Sequence, residues 1–275
     1  MSEEEAGERP EAPTPAGATM LTLLAWAVGM FAWATLLPWV GHWGAFGVAL
    51  ALGYGVVGTL AARGLPTPAE PRLGLRGFER SQALWIALAV PAVLLLSEVD
   101  NVIRPLVPAL TEPTPGAEPA EDVIALLAIE FTITTVLLRP VLEEFFFRGV
   151  IQQGLVVWMG ASAGVALTSV LFVLAVAGFA FPLGPQYAAS LAAQAAFIGP
   201  VLGLFRLATG SLLAPILLQM TMAAFGVLAM SYPDTIPIEG FNTPGDHTPF
   251  AILAPAALSV LASIVLANRE LKKFR

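Results

Sequence analysis

The sequence predicts an all-α, polytopic membrane helical bundle of about eight transmembrane helices. Two observations carry that prediction. The 275 residues are 57% hydrophobic and only 12% charged, whereas a soluble domain carries roughly 25% charged residues. The apolar residues also fall into runs near the ~20 residues that a helix needs to cross the hydrocarbon core, separated by polar or proline-rich breaks.

In chain order, residues 1–19 read as a disordered tail, rich in Pro and Ala and carrying Glu3, Glu4, Glu5, Glu8 and Glu11. Residues 20–275 form the transmembrane domain. An acidic start and a full-length apolar segment from Met20 do not resemble a cleavable signal peptide. Spans are predicted near 20–40, 43–62, 82–97, 122–138, 162–181, 187–207, 211–231 and 249–267. The third and fourth are short, and the sixth contains Gly199-Pro200. Residues 140–160 form a further helix that does not fully cross, opened by Pro140, whose missing N–H suits a first turn. The segments PTPAEP (66–71) and EPTPGAEP (112–119) are loops without deeper repeat.

Basic residues set the orientation. With the N-terminus inside, Arg9, Arg63, Arg72, Arg76, Arg80, Arg139, Arg148, Arg206, Arg269, Lys272, Lys273 and Arg275 fall on the inner side and Arg104 alone falls outside. The outer loops 98–121 and 232–248 are acidic. Both termini and the approach to Glu143 are therefore expected on the cytoplasmic side. The net charge of -7 owes much to the tail and gives no reason to expect nucleic acid. With no cysteine, disulfides and thiolate metal ligands are excluded.

Residues 138–154, LRPVLEEFFFRGVIQQG, place Glu143, Glu144 and Arg148 among Leu, Val and Phe. Ionisable groups at membrane depth are costly and have a partner or a function. Structurally, Glu144 and Arg148 form an i,i+4 pair near a helix start. Chemically, successive helix residues differ by about 100°, so Glu143 can point away from that pair and act as a general base. Glu130, Thr132, Thr134, Thr135 and Gln194 either line a polar cavity or bridge helices, and Glu130 is a lone carboxylate expected mid-membrane. Trp26, Trp33, Trp39, Trp43, Trp85 and Trp158 read as interfacial anchors.

EEFFFR at 143–148, followed in order by LTSVLFVLAVA (167–177) and GSLLAPILLQMTMAAF (210–225), with LGLRGF (73–78) before them, resembles the CAAX protease and bacteriocin-processing family of intramembrane endopeptidases over about residues 80–230. The resemblance implies an eight-helix bundle with a catalytic cavity open to the cytoplasm. It also implies catalytic positions at Glu143, Glu144, Arg148 and Gln219. The family's FxxxH motif is here Phe172 to Val176, and the third motif's His and Asn are replaced by Gln219 and Ala223. Valine cannot take a proton, and glutamine does not titrate near neutral pH. The remaining histidines, His42 and His247, are expected in outer loops.

The leading expectation is a proteolytically impaired or inactive family member acting as a binding or scaffolding partner, with no cofactor and no metal site. Its partners would be membrane lipid and another membrane protein or a lipidated peptide. An active endopeptidase with Glu143 as base and Gln219 as oxyanion donor is the alternative. A proton-handling transporter built on Glu130 and Glu143 is the third reading, and it requires a polar path to both faces.

Overall fold

The computed structural model describes residues 13–64, 73–108, 128–232 and 234–273, and every regular element among them is helical. The expected tail is largely outside the described residues. Its last part is helical, because α1 (Pro15–Leu50) begins five residues before Met20, with Pro at its first turn and Gly17 N–H donating to the Thr14 side chain at 3.0 Å.

At Gly41 (φ 71, ψ 179) the first helical segment breaks, a conformation open to glycine and costly for other residues. The chain then doubles back through a widened turn at Ala51–Val56 and α2 (Val57–Ala62). The two arms touch backbone to backbone: a Cβ at Gly53 would stand 2.5 Å from the Ala25 carbonyl, and one at Gly29 would stand 3.0 Å from that of Ala49. A buried stripe of Ala18, Thr22, Ala25, Gly29 and Ala32 permits this, since small residues let helices approach where lipid supplies no hydrophobic drive between them.

The third span is longer than expected, comprising α3 (Arg80–Ala87), a turn at 88–91 and α4 (Ala92–Leu106). The Leu88 carbonyl at that turn accepts from Ser259 at 2.7 Å, so the bend costs no buried hydrogen bond. The helix continues past Ser97 because its polar residues find partners. Asp100 accepts from Arg104 Nε (3.2 Å) and from the Ser190 hydroxyl, and Asn101 binds the Gly240 carbonyl.

The expected break before Pro140 is absent. Residues 128–159 form one rod, made of a widened turn at Ile133–Leu138, α5 (Arg139–Glu144), a second widened turn at Phe145–Ile151, and α6 (Gln152–Met159). Pro140 lies directly after the first widened turn, where the ladder is already displaced and its missing N–H interrupts little. The rod ends at Gly160 (φ 80), and the chain goes on through α7 (Ala161–Ala180), α8 (Pro185–Thr209), α9 (Leu213–Ser231) and α10 (Phe250–Lys273). α7 and α8 fold back at Gly184, so that Gly199 meets Ser169 and Phe172, and Gly203 meets Val165.

Six helical segments among the described residues are long and apolar enough to cross a bilayer, the first being the folded Pro15–Ala62. The rod is not one of them, since it carries Glu130, Arg139, Glu143, Glu144 and Arg148. Pro13 against Gly154, and Ala161 beside Lys272, mark one end of the bundle. Gly41, Gly184 and the 232–249 connection mark the other. Glu130 lies near this second end, in a groove with Trp43 and Gly44, so it is not a mid-membrane carboxylate as expected.

Candidate functional site: a sealed ionic clamp beneath an open chamber

The neighbours Glu143 and Glu144 diverge as the 100° helical step requires. Glu144 and Arg148 are each fully buried and paired at 2.8 Å. The pair is tied to two further helices. Gln219 of α9 donates to Glu144 Oε1, and Arg148 Nη2 donates to the Gly199 carbonyl of α8 at 3.0 Å. One turn on, Gln152 Nε2 donates to the Gly203 carbonyl at 2.9 Å. A Cβ at Gly203 would stand 3.0 Å from Gln152 Oε1, so the glycine there leaves room for the rod's side chain. Phe172 supports the guanidinium from α7, its ring centroid 4.4 Å from Arg148 Cζ. Below the clamp, Phe146, Phe147, Val150, Ile151 and Leu155 are fully buried.

Glu143 instead accepts from Arg139 Nε at 2.9 Å, with Arg139 28% exposed. This pair borders two adjoining cavities of about 230 and about 340 Å³. They share Phe131, Thr135, Leu191, Gln194 and Asn242 as well as the ion pair. Gln219, Ala223 and Phe172 face the smaller lobe. Val176, Trp33, His42, Trp43 and the Asp100–Arg104 pair face the larger. Val176, Gln219 and Ala223 therefore all lie on the chamber walls with Glu143.

His42 shares the larger lobe without reaching Glu143. The Trp43 ring packs 4.7 Å from that of Phe131, and from Phe131 to Glu143 the rod rises about 18 Å at ~1.5 Å per residue. His42 is instead packed among Trp33, Trp43 and Phe46. His247 Nδ1 lies 2.6 Å from Glu98 Oε1, in the 232–249 connection. No group of three or more metal-ligating His, Cys, Asp or Glu side chains occurs among the described residues.

Residues 125–225 match the family model for Type II CAAX prenyl endopeptidase Rce1-like. The chain is thus Rce1-like across the segment that holds Glu143, Glu144, Arg148, Val176, Gln219 and Ala223. Searches of curated proteins and of solved structures returned no match. LGLRGF lies outside the matched segment, but it docks onto it. Gly74 O accepts from Leu212 N at 2.9 Å, and Arg76 Nε donates to the Gly210 carbonyl at 3.1 Å.

The chamber walls run from Glu143 to His42, Leu183, Tyr187 and Asn242, toward the end of the bundle opposite to Pro13 and Lys272. Trp85 is buried against Phe205, with ring centroids 4.9 Å apart, and is not an interfacial anchor. Thr132 bonds its own helix at the Ala128 carbonyl and so does not bridge helices. Sequence reasoning missed Arg139 as the partner of Glu143, although the i,i+4 spacing was readable. It also missed the Asp100–Ser190–Gln194 chain, whose members lie in segments far apart in sequence.

Proposed function

We propose that this Rce1-like integral membrane protein is a binding or scaffolding protein impaired in peptide hydrolysis, in which Glu144, Arg148 and Gln219 hold the bundle together. The observation that carries this reading is the company Glu143 keeps. Its described neighbours are Arg139 and the chamber walls, where Val176 and Ala223 offer no base and Gln219 is engaged by Glu144. General acid–base groups contribute roughly 10²–10⁴ in rate and oxyanion donors roughly 10²–10³, so a chain without either histidine loses both contributions. Purified protein incubated with a lipidated peptide should release no more product than its Glu143→Gln variant. Turnover that disappears in Glu143→Gln would instead favour the endopeptidase, with Gln219's second amide N–H holding the oxyanion.

The transporter reading is disfavoured by the fully buried, apolar Phe146, Phe147, Ile151 and Leu155 packed around the clamp, none of which can carry a proton or an ion. For sidedness, Arg63, Arg76, Arg80, Arg206, Arg269 and Lys272 cluster at the end bearing Pro13, which by the positive-inside rule is cytoplasmic. The chamber then opens toward the opposite face. The chain has no cysteine, so single introduced thiols test this directly. A membrane-impermeant maleimide applied outside intact cells should label Asn242→Cys and spare Lys272→Cys, and the reverse pattern would invert the topology.

A further inference from the structure

We infer that the two-lobed chamber is a binding site for a neutral single-chain amphiphile whose head carries hydroxyl donors. This goes beyond the reading above, since such a ligand can be held whether or not Glu143 acts on a peptide. Three features of the walls select the ligand.

The first is shape and lining. The lobes, about 230 and about 340 Å³, adjoin along a shared wall, and together they fall in the ~300–1,000 Å³ range of small-molecule sites. The larger lobe is walled by Trp33, Trp43, Phe46 and Phe179, a surface suited to an acyl chain. The second is charge. Both arginines on the walls are already paired, Arg139 with Glu143 and Arg104 with Asp100. An anionic head would have to draw Arg139 away and leave a buried carboxylate uncompensated, and a cationic head would do the converse to Arg139. Either exchange is expensive in a desolvated site, so a neutral head is favoured.

The third is hydrogen-bond polarity. Gln219 Nε2 donates one N–H to Glu144 and Gln194 Nε2 one to the Ser190 hydroxyl, leaving each amide its oxygen and one further N–H. Both amide oxygens are thereby left as acceptors with no partner among the described residues, and both glutamines face the smaller lobe. Acceptors recognise donors, which for a neutral amphiphile means hydroxyl or amide N–H groups. A glycerol head meets this with two hydroxyls.

The test uses the full chain in phospholipid nanodiscs and a monoacylglycerol with a diazirine in its acyl chain. After photolysis, label should map to peptides containing Trp43, Phe46 and Phe131. Excess 1-monooleoylglycerol should remove it, and oleate or oleylamine should compete at least about tenfold less well, as expected for heads that break an ion pair. Gln194→Leu should weaken competition about five- to tenfold, the share of one neutral hydrogen bond, without touching the clamp. Leu191→Trp, which fills the shared wall, should abolish chamber labelling in a protein that still elutes as a folded species. Label confined to lipid-facing peptides, equal competition by all three heads, or labelling unchanged in Leu191→Trp would each overturn the inference.

Discussion

The clamp and the chamber differ by one residue in sequence and by their exposure to solvent in the fold. Glu144 and Arg148 are sealed, bound to each other, to Gln219 and to the Gly199 carbonyl. Glu143 and Arg139, one step away on the same rod, border open space. The comparison teaches that two adjacent carboxylates in one motif can take opposite tasks. A fully buried ion pair is a fastener that cannot be half removed. A pair on a cavity wall, with its arginine partly exposed, is partly screened and contributes less to stability.

The largest expected effect breaks the clamp. Arg148→Ala leaves Glu144 buried without its cation and should cost about 3–5 kcal/mol, seen as a loss of folded protein on expression and a lower Tm in detergent. Replacing both charges together, Glu144→Gln with Arg148→Met, should recover much of that loss. If the double variant is as unstable as the single one, the clamp acts through shape and not charge. Next in size is Gly53→Ala. Its Cβ would press on the Ala25 carbonyl at 2.5 Å, and overpacking of this kind costs roughly 1–3 kcal/mol, again read from the Tm.

Smaller effects belong to the chamber side. Glu143→Gln keeps an acceptor toward Arg139 on a wall where the arginine is partly exposed. It should lower stability by about 1 kcal/mol or less, well short of the Arg148→Ala loss. Equal losses would mean that the two carboxylates share one structural role. The smallest is His247→Ala. The imidazole is 68% exposed beside Glu98, and exposed pairs contribute about 0–1 kcal/mol. A Tm shift beyond a degree or two would show the 232–249 connection to be a structural strap.

The apolar spans within 20–62 and within 162–267 were legible because a helix in lipid must satisfy its own backbone, leaving composition and length to mark its course. The Glu144–Arg148 pair was legible from i,i+4 spacing, as was the divergence of Glu143 from it. Glu98, Asp100 and Pro140 misled for one reason: each is a helix-ending signal when isolated. Ser190 reaches Asp100, and His247 and the Thr248 N–H reach Glu98, only after distant segments have packed, and Pro140 is accommodated by the widened turn before it.

By itself, then, the chain determined that it would be an all-helical membrane protein, where its main apolar helices run, and which side chains carry the Rce1-like motif. These follow from period, hydropathy and local spacing, which act within a few turns of one helix. Only the tertiary structure decided that Gln219 and Gly199 close the clamp, that Val176 and Ala223 share walls with Glu143, and that the chamber runs away from the end bearing Pro13 and Lys272. Those facts depend on helices distant in sequence meeting at a particular depth and rotation, and that is set by the fit of small residues such as Gly29, Gly53, Gly199 and Gly203 against their neighbours.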